Sequence, residues 1–198
     1  METPDPSIRA ALIAGALVVF PIAAYYRFQA HRRGEPLDRR QEGLFILFTL
    51  RPVGLITAIG LISWLVSPAS MAWSSVPLSS CARWVGVALG AVAGALWIWT
   101  FRTLGPNLTD TVVTRREHTL VTAGPYRWVR HPFYVSMALL LLGNSLATAN
   151  WFIMAGGALL MTLIVIRSST EERLLIARFG DAYRDYTART GRFLPRLH

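Results

Sequence analysis

The segment from residue 110 to residue 134 is dense in histidine, arginine, tyrosine, glycine and proline. Pro132 suits the first turn of a helix, where no amide hydrogen is needed, and it disfavours helical geometry at the residue before it. The sequence therefore predicts that His131 stands at a helix amino terminus. Such an end carries partial positive charge and free amide hydrogens, so a carboxylate could bind there beside His131 and Arg130. The alternative is that His131 only caps the helix and that Arg130 extends to lipid phosphate.

A second charged group begins at Arg167, with Glu171 four residues later and Glu172 directly after it. Residues four apart share one face of a helix, so one interpretation is an ordinary salt bridge between Arg167 and Glu171. Carboxylates at a membrane boundary are costly without a cationic partner. The other interpretation is therefore that a cationic ligand neutralises one of them.

Membrane helices are the elements that must position these two groups. Of the 198 residues, 53% are hydrophobic and 16% are charged, a balance that excludes an ordinary soluble enzyme. Five apolar segments come close to the roughly 20 residues that a membrane-spanning helix needs. They cover approximately residues 8–28, 44–66, 84–101, 133–146 and 151–166. The sequence therefore predicts an all-α polytopic membrane protein with about five transmembrane helices.

The last two apolar segments are short, and the uncharged residues 143–145 join them, which predicts a tight helical hairpin. A hairpin returns its end close to its beginning, so the region around His131 should meet Arg167 and the two glutamates. A site for an anion would then face a site for a cation. This combination fits a zwitterion with an additional positive charge, such as S-adenosylmethionine.

The distribution of arginine predicts the orientation of the chain. All 20 basic residues are arginines, which together with the abundant alanine suggests a GC-rich bacterial genome. Seventeen follow the first, third and fifth apolar segments, against Arg9 and Arg83 on the other side. Because short cytoplasmic loops retain positive charge, we expect a bacterial inner membrane protein with its amino terminus outside and its carboxyl terminus in the cytoplasm.

Two classes of partner are not expected. The arginines stand in blocks between apolar runs rather than on a soluble basic face, so the sequence predicts contact with membrane lipids and no nucleic-acid partner. The single cysteine, Cys81, excludes an internal disulfide and a cysteine zinc cluster, and we predict no metal site.

The stretch from Thr170 onward differs from the apolar segments. Its apolar residues recur at helical spacing with arginines and acids between them, which predicts amphipathic helices on the membrane surface. These residues are Leu174, Leu175, Phe179, Tyr183 and Tyr186. Gly180 should end one helix and Asp181 should cap the next.

Arg51, which precedes Pro52 within the second apolar segment, is a charge inside a predicted membrane helix. Such a charge is a functional hypothesis by default, and an inward-facing Arg51 could hold a substrate carboxylate or headgroup. The alternative is that its long side chain reaches the membrane interface.

Several of these motifs together resemble the signature of the isoprenylcysteine carboxyl methyltransferase family, integral membrane enzymes that use S-adenosylmethionine. The motifs, in order, are Gly124-Pro125-Tyr126, Arg130-His131-Pro132-Phe133-Tyr134, the Glu171-Glu172 pair, and Phe179-Gly180 with Tyr183 and Tyr186. The resemblance covers roughly residues 105–195, whereas the first three helices match only in kind. It implies a single membrane domain over residues 1–198, with a three-helix part over 1–103 and a cofactor-binding part over 104–198.

The resemblance also implies roles for individual residues. The S-adenosylmethionine site would comprise His118, Thr119, Leu120, Val121, Tyr126, His131, Pro132, Phe133, Tyr134, Glu171 and Glu172. Arg167 would address the substrate, which makes Arg167 and Glu171 the candidate catalytic residues. Two positions depart from the family pattern: Ser136 replaces a usual glycine, and Thr111 replaces a glutamine that contacts the cofactor in eukaryotic members.

The implied reaction is in-line transfer of a methyl group to a lipophilic acceptor that enters from the bilayer, and it requires positioning and a dry pocket. A carboxylate acceptor needs no base, whereas a thiol or amine would lose a proton to Glu171 or His131. Two alternatives stay open. One is an NADPH-dependent membrane reductase of the sterol or enone type, which shares a similar carboxyl-terminal motif, and the other is a non-catalytic membrane protein with this fold.

Overall fold

The computed structural model describes residues 5–33, 46–105 and 119–196, and the regular elements in these ranges are helices. The helices are α1 (Pro6–Arg33), α2 (Arg51–Val66), α3 (Ser80–Leu104), α4 (Pro132–Thr148), α5 (Trp151–Phe179) and α6 (Asp181–Arg189). A π-helical turn, Ile46–Leu50, precedes α2, and the 3₁₀ segments Pro68–Ser74 and Gly124–Arg127 precede α3 and α4. The prediction of an all-α fold is confirmed.

Four of the described helices contain stretches long and apolar enough to cross a membrane: Pro6–Gln29, Phe48–Val66, Ser80–Leu104 and Trp151–Phe179. The shorter α4 has 17 residues, which at 1.5 Å per residue gives a length of about 25 Å, close to the hydrocarbon thickness of a bilayer. Large apolar side chains such as Leu17, Ile59 and Val92 are exposed on the outside of the bundle, as lipid contact requires. The protein is an integral membrane protein with about five membrane helices, as predicted.

Close packing of α3 against α4 fixes the position of α4, whose amino end follows His131. A Cβ atom on Gly86 would lie 2.5 Å from the Ala147 amide nitrogen, and one on Gly143 would lie 2.7 Å from the Gly86 carbonyl oxygen. On the next turns, a Cβ on Gly94 would lie 2.7 Å from Val19 of α1. The glycines therefore let the backbones of α3 and α4 approach closely and leave room on α3 for the Val19 side chain of α1.

The hairpin between α4 and α5 forms, but its turn is not at residues 143–145. Those residues lie inside α4, and the chain reverses at Ala149, which has a left-handed φ of 49°, and at Asn150, which caps α5. The Asn150 side chain accepts from the Ile153 amide at 3.2 Å and donates to the Ser74 hydroxyl at 2.8 Å. The Asn150 cap therefore marks the turn, whereas Gly143 lies within α4 and packs against α3.

Helix α5 extends much further than the predicted end at residue 166. It continues to Phe179, so residues 170–179 are part of the same 29-residue helix rather than a separate surface helix. The helix stops where predicted, at Gly180, whose φ is 56° and whose amide donates to the Ile176 carbonyl at 2.9 Å. The residue at the cap of α6 is Gly180 itself, and Asp181 begins the helix.

The prediction that Tyr183 and Tyr186 lie on the membrane surface is wrong. Both side chains are enclosed by the protein, with exposures of 2% and 5%. The Tyr186 hydroxyl donates to the Tyr126 carbonyl at 2.6 Å, so this face of α6 packs against the loop before α4. Helical periodicity correctly identified an amphipathic helix, but it could not distinguish a protein partner from a lipid surface.

Arg51 is the first residue of α2 and follows the π-helical turn, so the membrane helix is irregular at the predicted position. Its side chain is exposed. Two residues later, Val53 packs against the apolar cluster beside the site described below.

Candidate functional site

The site lies at the amino end of α4, where α5, α6 and the carboxyl-terminal segment converge. His131 precedes Pro132 with φ −124° and ψ 60°, and its carbonyl accepts from the Tyr134 and Val135 amides at 3.0 and 3.1 Å. The imidazole is buried, with an exposure of 5%. The prediction that His131 stands at a helix amino terminus is confirmed.

The carboxylate of Glu172 lies beside the Arg130 and His131 side chains at this terminus. Arg130 Nε donates to Glu172 Oε1 at 2.8 Å, and His131 Nε2 lies 3.2 Å from the same oxygen. Arg192 approaches the second oxygen, with Nε 3.7 Å from Oε2. A side chain of the protein itself therefore occupies the position beside Arg130 and His131 that the sequence suggested for the carboxylate of a ligand.

The neighbouring carboxylate, Glu171, is in a different environment. Its Oε2 accepts a hydrogen bond from the Tyr134 hydroxyl at 2.7 Å. Among the described residues it forms no ion pair with Arg167, so the salt bridge considered from the sequence is not present. Arg167 Nε is enclosed, and no described residue accepts a hydrogen bond from it. The site thus contains one carboxylate, Glu172, with several polar partners. Beside it, the Glu171 carboxylate and the Arg167 guanidinium are not paired with each other.

Aromatic rings hold these groups in place. The rings of His131 and Tyr134 stack at 5.2 Å with an interplanar angle of 10°. Phe133 stacks on Phe101 of α3 at 5.8 Å and also packs against the apolar cluster that contains Tyr134. It therefore connects the core between α1 and α3 with the apolar side of the site.

Tyr126 belongs to the 3₁₀ turn Gly124–Arg127, which rests on the end of α3. Gly124 has a φ of 59°, and a Cβ there would lie 2.5 Å from the Thr103 hydroxyl oxygen, so both conformation and space favour glycine. Burial and the nearby Glu171 carboxylate raise the pKa of the Tyr126 phenol, because both disfavour the phenolate. Tyr126 therefore remains a neutral hydroxyl close to Glu171.

The remaining predicted site residues are less closely connected to this cluster. Thr119, Leu120 and Val121 form an irregular stretch ahead of the turn, and His118 and Thr111 lie outside the described residues. Pro132 is buried in the first turn of α4. The Ser136 hydroxyl donates to the Phe133 carbonyl at 2.7 Å, so this departure from the family pattern is accommodated within α4.

The carboxyl-terminal segment completes the site, and sequence reasoning did not identify this. The Arg130 and His131 amides donate to the Gly191 and Arg192 carbonyls at 2.8 and 3.1 Å. Phe193 then packs against His131, with ring centroids 5.7 Å apart, and against the apolar cluster that contains Tyr134, Leu160 and Ile164. The one feature of the sequence that could have indicated this contact is the bulky aromatic side chain of Phe193. That feature does not specify which loop the segment would contact.

Comparisons with known proteins identify relatives of this chain. Residues 85–177 match the model of the isoprenylcysteine carboxyl methyltransferase (ICMT) family. Three curated proteins are similar. The cobalt-zinc-cadmium resistance protein CzcN of Cupriavidus metallidurans is 37% identical over 128 residues, which is 63% of this chain and 52% of that protein. The protein-S-isoprenylcysteine O-methyltransferase of Schizosaccharomyces pombe is 33% identical, covering 46% and 40% of the two chains. The methanethiol S-methyltransferase of Mycobacterium tuberculosis is 37% identical, covering 37% and 29%.

The fold also matches a solved structure. The eukaryotic intramembrane Ras methyltransferase ICMT superposes with a TM-score of 0.53 and 23% identity, over 73% of this chain and 51% of that one. The chain spans about half the length, or less, of these relatives. The matched segment includes His131, Tyr134, Arg167 and both glutamates. Over residues 85–177, the segment that builds most of its site, this chain is therefore similar to the isoprenylcysteine carboxyl methyltransferase family.

Proposed function

We propose that this protein is a membrane methyltransferase that transfers a methyl group from S-adenosylmethionine to a lipophilic acceptor entering from the bilayer. The observation that carries the proposal is that the adjacent residues Glu171 and Glu172 have different hydrogen-bond and ion-pair partners. Two arginines and the His131 imidazole surround Glu172, whereas Glu171 has only the Tyr134 hydroxyl as its hydrogen-bond partner among the described residues. A carboxylate held in place without a cation is suited to a cationic ligand.

The residues present fit the cofactor. S-Adenosylmethionine supplies an electrophilic methyl group on a cationic sulfur. Glu171 would face the positive charge of the ligand, and the stacked rings of His131 and Tyr134 would form a flat wall beside it. We assign the remaining cofactor contacts to Tyr126, Pro132 and Phe133, to residues 118–121, and to Glu172 as the group that fixes Arg130 and His131.

Arg167 is the candidate for orienting the acceptor. Its enclosed Nε has no acceptor in the described part of the chain, and it lies on the same helix face as Glu171. An anionic acceptor would satisfy this nitrogen and would be held one turn away from Glu171. A carboxylate acceptor is already ionised and needs no base, whereas a thiol would give its proton to Glu171 or His131.

The names of two relatives support acceptors of these two types. One relative is a protein-S-isoprenylcysteine O-methyltransferase and another a methanethiol S-methyltransferase. Both names describe methyl transfer, to oxygen in one case and to sulfur in the other. We therefore propose a lipophilic carboxylate or thiol as the acceptor for this chain.

The apolar cluster beside the site supports the proposal that the acceptor enters from the bilayer. Tyr134, Leu160 and Ile164 pack there with Leu50, the last residue of the π-helical turn, and with Val53 in the first turn of α2. Arg51 lies between these two residues in sequence, so we propose it as a second contact for a polar group of the acceptor.

The arginine distribution further supports an inner membrane protein of a bacterium, with the site on the cytoplasmic side.

Calorimetric titration of the detergent-purified protein with S-adenosylhomocysteine and, in parallel, with NADPH tests the proposal. We expect saturable binding of S-adenosylhomocysteine and no binding of NADPH. Binding of NADPH alone would assign the protein to the membrane reductases. Binding of neither compound by folded protein would support a non-catalytic role.

A further inference from the structure

Two tryptophans and an arginine form an exposed cluster beside the turn that carries Tyr126. The Trp99 and Trp128 rings meet edge to face, with centroids 5.5 Å apart, and the side chains are 44% and 40% exposed. The Arg127 guanidinium lies over the Trp128 ring, 4.0 Å from its centroid, which is the geometry of a cation–π contact. Arg127 is exposed as well, so these three residues, which we call the Arg127 surface, can contact a molecule outside the protein.

The stacked guanidinium keeps its hydrogen-bond donors available. A cation–π contact uses the face of the guanidinium, whereas its N–H groups project from the edge. No described residue accepts a hydrogen bond from Arg127 or forms an ion pair with it. Arg130, which the sequence allowed as a contact for lipid phosphate, is instead bound by Glu172 and by the Thr190 carbonyl. The arginine of this loop that is free to bind outside the protein is therefore Arg127.

The tryptophans place the Arg127 surface at a membrane–water interface. Tryptophan is enriched at that depth, because its ring suits the apolar region and its N–H group suits the polar headgroups. Trp99 lies in the last turns of α3 and Trp128 comes shortly before α4, so both are at the same end of the bundle as His131. The surface therefore lies at headgroup level in the leaflet beside the candidate site.

The opposite end of the bundle has exposed tryptophans but a different use of arginine. Trp73 and Trp151 pack edge to face there, with centroids 5.5 Å apart. Arg9 Nε donates to a carbonyl at the end of α2 at 2.7 Å, and Arg83 Nε donates to one at the end of α4 at 3.0 Å. Both arginines thus cap helices of the protein itself. Of the two tryptophan pairs, the one beside the site is accompanied by an arginine whose donors no described residue occupies.

We infer that the Arg127 surface binds an anionic phospholipid of the leaflet beside the site. The Arg127 donors would bind two oxygens of the headgroup phosphate, an arrangement that the planar guanidinium favours. The two indoles would lie against the glycerol backbone and the upper part of the acyl chains. Since the surface contains a cation and no acidic side chain, a headgroup with net negative charge fits it better than a zwitterionic one. This inference does not depend on the proposed methyl transfer.

Native mass spectrometry of the full chain, released from a non-ionic detergent, tests the inference by measuring dissociation constants for added lipids. The lipids are phosphatidylglycerol and, as the zwitterionic comparison, phosphatidylcholine with the same acyl chains. We expect the wild-type protein to prefer phosphatidylglycerol. Arg127→Ala should weaken its tightest phosphatidylglycerol binding by about fivefold, the effect of one arginine near a lipid surface, and should change phosphatidylcholine binding by less than about twofold.

Two further variants separate the contributions of charge and ring. Arg173→Ala is the matched control, because it removes an exposed arginine that has Thr170 rather than a tryptophan as its partner, and it should change neither affinity. Trp128→Ala should weaken the binding of both lipids, because the contact of an indole with the lipid does not depend on headgroup charge. Should Arg127→Ala not fold, Arg127→Gln is measured in its place with the same expectation.

Equal affinity of the wild-type protein for the two lipids would overturn the inference. An unchanged dissociation constant in the Arg127 variant, or an equal loss in Arg173→Ala, would also overturn it. Displacement of phosphatidylglycerol by an equimolar amount of inorganic phosphate would show a simple anion site and would contradict a lipid site. Titration with S-adenosylhomocysteine tests the proposed function separately, so either conclusion can fail while the other stands.

Discussion

At the scale of single residues, the site separates two glutamates that are neighbours in sequence. Successive residues on a helix point about 100° apart, so Glu171 and Glu172 meet different partners. Glu172 faces Arg130, His131 and Arg192, whereas Glu171 faces Tyr134. The first is suited to holding the structure together and the second to contacting a ligand.

The two glutamates should therefore respond differently to the same substitution. We expect Glu171→Gln to weaken S-adenosylhomocysteine binding by at least tenfold with little change in Tm, because it removes the charge that faces the ligand. Glu172→Gln should lower stability by about 1–3 kcal/mol, because Arg130 and Arg192 lose their counter-charge. Calorimetry and thermal unfolding of both variants check this, and equal effects of the two on binding would contradict the division.

Arg167 should act on the acceptor rather than on the cofactor. Replacing it by alanine should leave S-adenosylhomocysteine affinity within about twofold of wild type, because no described residue pairs its Nε with the cofactor cluster. Methyl transfer to a long-chain alkanethiol or fatty carboxylate should fall by at least tenfold. Arg173→Ala is the matched control on the exposed face of α5. A large loss of cofactor affinity in Arg167→Ala would contradict this assignment.

At the scale of elements, the contact between α3 and α4 positions the site from a distance. Gly86 and Gly143 bring the two backbones together, and the other end of α4 carries His131 and Tyr134. Any displacement of α4 should therefore change the geometry of the site. A rigid helix transmits such a shift because interiors are closely packed.

The glycines of α3 offer a matched test of this coupling. A Cβ on Gly86 would meet backbone atoms of α4, whereas a Cβ on Gly90 would meet nothing within 4 Å. We expect Gly86→Ala to lower stability by about 1–3 kcal/mol and to weaken S-adenosylhomocysteine binding. Gly90→Ala should be neutral or should stabilise the protein by up to about 1 kcal/mol, through helix propensity. Thermal unfolding and calorimetry separate the two, and similar behaviour of both variants would refute the coupling.

The carboxyl-terminal segment is the second element that the site depends on. Phe193 packs on His131 and into the apolar cluster, whereas the next residue, Leu194, is 79% exposed. Phe193→Ala should cost about 2–3 kcal/mol, somewhat less than for a fully enclosed phenylalanine, and should reduce S-adenosylhomocysteine affinity. Leu194→Ala should change neither property. A wild-type Tm in Phe193→Ala would show that the segment is not part of the folded site.

At the scale of the whole molecule, the site and Cys81 lie at opposite ends of the bundle. Cys81 is exposed at the start of α3, near the end where α4 turns into α5, and His131 is at the other end of α4. With the site in the cytoplasm, a membrane-impermeant maleimide should label Cys81 in spheroplasts of an expressing bacterium. In a Cys81→Ser background, cysteine placed at the exposed Arg189 should react only after lysis. The reverse pattern would invert the proposed orientation.

Much of the fold was accessible from the sequence, because the responsible forces act locally or through composition. Apolar length predicted the membrane helices, Pro132 predicted the start of α4 and Gly180 predicted the end of α5. The turn at Ala149 and Asn150 was not predicted, because its stability comes from a contact with Ser74, far away in the chain. The extension of α5 was also missed, because a change in polarity along a helix does not end it.

The sequence by itself determined that this is a membrane protein, where α3 and α4 start and stop within a few residues, and which segment contains the clustered histidine, arginine and tyrosine residues of the candidate site. These properties follow from hydrophobicity, from proline and glycine geometry, and from motif spacing. Only the tertiary structure decided which glutamate is neutralised, that Tyr183 and Tyr186 face the protein rather than lipid, and that Phe193 joins the site. In each case several partners of similar chemistry were available. Which partner is contacted depends on distances between residues that are far apart in the chain, and only the tertiary structure gives those distances.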